Sequence, residues 1–161
     1  MWERVVIHRL HQINALAVSI LVINELSEVL LVRRTDKVGI GQGLFGVTVT
    51  GSVDEEDLNA ADPIRSCALR ELSEELGLHL TNDDLQVKTL VAGKVKRQPV
   101  AVINARVKGS LVTVAERARK AKDYSFEVAK MVVCAKSDVK ALLENQKFTE
   151  AAEYHLLNYL Q

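Results

Sequence analysis

Aromatic side chains make up only 4% of the chain, and there are two cysteines. Cys67 and Cys134 show no metal-ligand spacing, and two isolated thiols make no disulfide framework. Both are expected to be reduced, small apolar side chains in a cytoplasmic protein. Charge of one sign is also lacking. Lys+Arg and Asp+Glu both number 21, so there is no global field to hold nucleic acid or an anionic membrane. The longest apolar run, Ala15 to Ile23, is broken by Ser19 and is far too short to span a bilayer. The start, Met1-Trp2-Glu3-Arg4, is not the opening of a signal peptide. What is present is the mixture of a globular protein: 161 residues, 48% hydrophobic and 26% charged, enough for one domain over 1–161.

Val- and Ile-rich stretches at 4–9 and 15–23 read as strands. Residues 24–27 form a turn, and 28–34 (EVLLVRR) pairs back as a hairpin. Five of the eight glycines fall between Gly39 and Gly51, so the backbone there must turn sharply or approach something closely. Within that segment 44–50 reads as a short strand, and Ser52 to Ala61 as an exposed, mobile acidic loop. Asp62-Pro63 opens a helix as N-cap and first helical residue, and Gly77 closes it. Further strands are expected at 85–92, 98–108 and 127–135. Helices are expected at 114–121 (a Thr113–Glu116 capping box), 137–145 and 149–160. Strands and helices are interspersed without strict alternation, which favours an α+β fold, a mixed sheet with helices on it.

Chemistry concentrates on the helix 62–76. At 100° per residue, Glu71, Glu74 and Glu75 share one face within an arc of roughly 100°. Leu69, Leu72 and Leu76 occupy the neighbouring sector. Like charges at these spacings repel, and carboxylates in the last helical turn oppose the dipole by roughly 0.3–1 kcal/mol each. Arg70 can offset part of this by pairing with Glu74 at i,i+4. A divalent cation bound by the carboxylates would offset the rest, and Mg²⁺ or Mn²⁺ suits oxygen ligands with positions left open.

Residues 68–78, ALRELSEELGL, closely resemble the second half of the Nudix hydrolase signature, Arg-Glu-apolar-x-Glu-Glu-x-Gly-apolar. The first half of that signature is Gly, five residues, Glu, then seven residues to the Arg. Counting back eight residues from Arg70 reaches Asp62, and counting back fourteen reaches Glu56. Gly51 is then the available glycine, and the loop is about five residues longer than the standard one. The resemblance extends over residues 15–136 in the order of its elements and implies an α/β/α sandwich. It implies water attack on the pyrophosphate of a nucleoside diphosphate linked to another group, with Mg²⁺ neutralising charge. Carried over by position, Glu71, Glu74 and Glu75 supply metal ligands and the base, the base being Glu74 or Glu71. Arg70 orients a glutamate, and Gly51 offers a backbone carbonyl. A late glutamate often completes such a shell, and Glu127 fits that place, with Asp123 and Glu116 behind it.

The remaining candidates are weaker. Arg33 and Arg34 end a strand that approaches the site, and Lys94, Lys96 and Arg97 form a small basic run; each is a candidate phosphate contact. Phe45 and Tyr124 are candidate base-stacking residues. The implied partner is a small nucleotide-type molecule, with neither nucleic acid nor membrane, and a homodimer is compatible with the sequence. A Nudix-fold module that binds nucleotide without turnover is the alternative reading.

Overall fold

A computed structural model describes residues 3–4, 15–39, 41–93, 97–121 and 124–161. Eight strands form one mixed sheet: β1 (Glu3–Arg4), β2 (Ala17–Asn24), β3 (Glu28–Arg34), β4 (Phe45–Gly46), β5 (Val49–Ser52), β6 (Leu85–Ala92), β7 (Pro99–Val107) and β8 (Val128–Ala135). The order runs β1-β6-β7-β2-β3-β4, with β5 joined to β2 and β8 joined to β3. Among the described strands, β2 and β7 pair in parallel, from Ala17↔Val100 to Asn24↔Val107, and the other strand pairs are antiparallel. Most of the expected strand 4–9 lies outside the described residues.

Period-2 alternation in the central strands sends side chains to two faces. Val18, Ile20 and Val22 join the core beneath α2 (Pro63–Leu76) and α3 (Leu111–Ala118). Leu21, Val29 and Leu31 join the core beneath α5 (Lys136–Asn145) and α6 (Glu150–Leu160). The result is the expected layered sandwich. On α2 the apolar stripe is Cys67, Ala68, Leu72 and Leu76, all fully buried. Each leucine contributes roughly 1.5–3 kcal/mol of burial.

Helix α2 has the boundaries its sequence indicates. Asp62 Oδ1 accepts from the Arg65 amide, and Gly77 takes a left-handed conformation (φ 62°). There Gly77 N–H bonds Ser73 O, the 5→1 bond of an αL closure, and Leu78 N–H bonds Leu72 O. Two expectations change. The strand 44–50 is split at Val47-Thr48, because the Thr48 hydroxyl donates to Leu30 O and accepts from Val22 N–H, substituting for a ladder. Helix α3 begins at Leu111, capped by Ser110, whose hydroxyl accepts from Val112 N–H. That start lets Leu111 bury alongside Val114 and Ala118, which a start at Thr113 would not. Phe45 is also a core residue, 5.4 Å from the Phe148 ring, and not a stacking surface for a base.

A small polar network is buried beneath α6. His155 on α6 is 1% exposed, with Ser19 Oγ 3.0 Å from Nδ1 and Asn104 Oδ1 2.9 Å from Nε2. Burial pushes its imidazole down to about 3, so the ring is neutral. The network assigns the ring hydrogen to Nε2, donated to Asn104, and the Ser19 hydroxyl hydrogen to Nδ1.

Candidate active site

Strand β5 delivers Gly51 to the face of α2. A Cβ there would lie 2.2 Å from Glu71 Cδ, so the side chain of Glu71 occupies the space that any other residue would fill. Close approach, and not a special dihedral angle, fixes this glycine.

Residues 52–61 differ from the open acidic loop expected. Asp54 caps a single helical turn, α1 (Glu55–Leu58), accepting from the amides of Glu56 and Asp57, while Asp57 Oδ2 accepts from Asp54 N–H in return. Asp57 is 1% exposed. Its carboxylate accepts from Arg70 Nη2 at 2.8 Å and from Ser66 Oγ at 3.0 Å. Burial alone would push this acid up; the hydrogen bonds from Arg70, Asp54 N–H and Ser66 outweigh that and bring it down to about 2.

Asp57 also corrects the sequence register. It lies six residues after Gly51, so Gly-x5-acid is intact, and the five extra residues fall between Asp57 and Arg70. Asp62, reached by counting back from Arg70, is instead the N-cap of α2 and pairs with Arg65 at 2.6 Å. Counting forward from Gly51 is the signal that finds Asp57.

Arg70 is the hub of the site. Nη2 reaches Asp57, Asp54 at 3.4 Å and the carbonyl of Ser52 at 3.1 Å. Nη1 reaches Glu71 Oε1 at 2.9 Å and Glu74 Oε2 at 3.4 Å, the latter being the expected i,i+4 pair. The Asp57 hydrogen bond, followed by the charge of Glu71, raises the guanidinium above its ordinary value despite partial burial. Arg70 thus orients Glu71 from one side while Gly51 clears room for it on the other.

Glu71, Glu74 and Glu75 line a cavity of about 340 Å³, closed opposite by Tyr124, Glu127 and Met131. The short helix α4 (Tyr124–Glu127) holds Glu127 there, and the end of β3 anchors it: Thr35 N–H donates to Glu127 O and the Thr35 hydroxyl to Phe126 O. The structure therefore brings Glu127 to the glutamates of α2. Glu116 is exposed on α3, and Asp123, Lys94 and Lys96 lie outside the described residues. Arg34 faces the site and lowers Glu75 electrostatically, whereas Arg33 turns to the carbonyl of Gly43 at 3.4 Å.

Glu75 is the exceptional group. It is half-buried and has no hydrogen bond or ion pair among the described residues. Burial, then the charges of Glu127 and Glu71, push its carboxyl up to about 9. Burial also raises Glu71, against Arg70. The donor set around this carboxylate is all oxygen, which suits a hard divalent ion. As placed, no three acid, histidine or cysteine side chains among the described residues converge on one point. The four glutamates ring the cleft, and their terminal torsions would have to turn inward to clasp an ion.

A second cavity, of about 460 Å³, adjoins the first and shares Glu75, Glu127 and Val128 with it. It extends across β2, β5 and β7 to the start of α6. Among the described residues, no helix is long and apolar enough to cross a membrane.

The chain matches the NUDIX domain family over residues 13–156. It belongs to the Nudix hydrolase family, whose members hydrolyse nucleoside diphosphate derivatives with divalent metal cations. Solved structures share the fold. A MutT protein from Methanosarcina mazei Go1 superposes with a TM-score of 0.63 at 18% identity, over 94% of this chain and 96% of that one. A MutT NUDIX hydrolase from Burkholderia pseudomallei gives 0.63 at 18% identity, over 89% and 95%. A NUDIX hydrolase from Alicyclobacillus acidocaldarius gives 0.61 at 14% identity, over 92% and 91%. No curated protein matches the sequence.

Proposed function

We propose that the protein is a Mg²⁺-dependent pyrophosphohydrolase, able to use Mn²⁺, that cleaves the pyrophosphate bond of a nucleoside diphosphate linked to another group. The observation that carries this reading is Glu75, a half-buried carboxylate raised to about 9 and ringed by Glu71, Glu74 and Glu127 in one cleft.

When bound, Mg²⁺ supplies charge neutralisation at the diphosphate and lowers the pKa of coordinated water. Glu71, Glu75 and Glu127 would hold it, with the Gly51 carbonyl beside them. Glu71 is fixed for this by Arg70 and by the bare Cα of Gly51. Glu74 is exposed and held by Arg70 only at 3.4 Å, so it can swing to a water in the cleft; this favours Glu74 over Glu71 as the base. Arg34, which lines the second cavity and acts electrostatically on Glu75, would receive a phosphoryl oxygen. A domain over residues 1–161 in the cytoplasm accommodates this activity, and a homodimer is compatible with it.

The test is phosphate or nucleotide release from a nucleotide panel with Mg²⁺, Mn²⁺ and EDTA. Metal-dependent turnover is expected from the wild type, and a raised Mg²⁺ requirement from Glu127→Gln. Turnover that survives EDTA, or an unchanged Mg²⁺ titration in both Glu75→Gln and Glu127→Gln, would overturn the reading.

A further inference from the structure

The second cavity determines what can be attached to the diphosphate. It adjoins the carboxylate cleft, sharing Glu75, Glu127 and Val128 with it, so a substrate with its diphosphate over the glutamates can send one organic group into it. The walls of this slot are aliphatic: Ala17, Val32, Val47, Val100 and Val128, with the bare backbone of Gly46 between them. The hydroxyls on its buried floor are already engaged. Ser19 donates to His155, and Thr48 is bonded to both Leu30 O and Val22 N–H. Polar side chains with exposure also line it: Arg34, Thr50, Ser52, Gln98, Thr149 and Glu150, beside the shared Glu75 and Glu127.

This lining discriminates among the groups that a nucleoside diphosphate can carry. A sugar brings a hydroxyl on nearly every carbon, and those that meet the valines and not the few polar side chains would lose water without gaining a partner. A second nucleoside needs a ring to stack on and partners for its base edges; no described residue of the slot is aromatic. A flexible aliphatic arm gains by burying its methylene and methyl groups there, and an arm polar at intervals meets those polar side chains. The nucleoside itself then falls on the far side of the glutamates, where Tyr124 lines the carboxylate cleft.

We propose that the slot receives a flexible, mainly aliphatic arm, so that the substrate is a nucleoside diphosphate esterified to such an arm. This rests on the hydrolase reading above. Water would attack a phosphorus of the diphosphate, breaking one P–O bond of the bridge. The products are a nucleoside phosphate and the phosphorylated arm, and the proton goes to a glutamate of the cleft.

Coenzyme A is a suitable probe, compared with ADP-ribose and diadenosine tetraphosphate in the presence of Mg²⁺. The expected result is a kcat/KM for coenzyme A at least tenfold above either. Ala17→Phe, which fills the slot, and Val100→Thr, which puts a hydroxyl on its wall without changing its size, should both raise KM for coenzyme A, the first by tenfold or more. Preference for the sugar or the dinucleotide, or a KM for coenzyme A unmoved in both variants, overturns the proposal while leaving the hydrolase reading standing. If no nucleotide is cleaved with Mg²⁺ or Mn²⁺, the hydrolase reading fails instead. Calorimetric titration with 4′-phosphopantetheine then decides the slot: binding that is lost in Ala17→Phe supports it, and absence of binding overturns it.

Discussion

Replacing Asp57 by Asn would keep the shape of a side chain that is 1% exposed and remove its charge. The carboxylate accepts from three donors: Arg70 Nη2, Ser66 Oγ and Asp54 N–H. An amide oxygen in the Oδ2 position still meets Arg70 and Asp54 N–H but without the charge, and its NH₂ group faces Ser66 Oγ, which must turn from donor to acceptor. Breaking a buried pair typically costs about 3–5 kcal/mol. Arg70 keeps Glu71, Glu74 and Asp54, so its charge is not abandoned and the cost falls to about 2–4 kcal/mol. The pH dependence gives a second, independent figure. A carboxyl at about 2 in the folded protein and 3.8 otherwise contributes about 2 kcal/mol. Because the folded value is depressed, that contribution is complete above pH 3.8 and is lost as pH falls through about 2. Urea unfolding at pH 7, 5 and 3 measures both. The gap between wild type and Asp57→Asn should be full at pH 7 and 5 and roughly halved at pH 3. A gap below about 1 kcal/mol at pH 7, or one that does not narrow by pH 3, would refute the assignment of Asp57 as the buried partner of Arg70.

Other outcomes follow from the same geometry. Glu75→Gln should abolish most metal-dependent hydrolysis while leaving the metal-free protein as stable as wild type or more so, since its charged form is disfavoured by burial and by Glu127 and Glu71; thermal melts in EDTA and rate assays check the two halves. Gly51→Ala places a Cβ 2.2 Å from Glu71 Cδ, so activity should collapse with far less effect on the melting temperature than on rate. His155 sits depressed at about 3, so its contribution to stability falls as pH drops below 6.5 and continues to fall toward 3. Replacing His155 with a neutral side chain should flatten stability over that window, a higher one than that of Asp57.

Much of the fold was legible because its signals are local. Helix α2 announced its start at Asp62-Pro63 and its stop at Gly77, and its carboxylates share a face by periodicity alone. Where two local signals competed, burial decided: Ser110 won over Thr113 because only the earlier start buries Leu111. The strand expected over 44–50 failed for a non-local reason, since Thr48 bonds to backbone groups of β2 and β3. Asp57 was missed because the signature was measured from Arg70, and the added residues fall on that side of the acid. Glu127 could be placed opposite the helix only through the family resemblance; its approach depends on a packing of α4 against the end of β3 that leaves no periodic trace.

The parallel pairing at the centre of the sheet also bears on how the chain reaches this state. Strand β2 lies between β3, its hairpin partner, and β7, which begins its pairing at Ala17↔Val100. Strand β3 in turn waits for β8, from Glu28↔Ala135 to Arg34↔Val128. The β2–β3 hairpin is thus flanked on both sides by strands from much later in the chain. Closing those long loops has an entropic cost before any contact repays it, so folding is expected to be slow relative to a helical protein of this size. During synthesis the apolar strands β2 and β3 would emerge from the ribosome well before the strands that cover their edges, a period in which they are most exposed to mispairing.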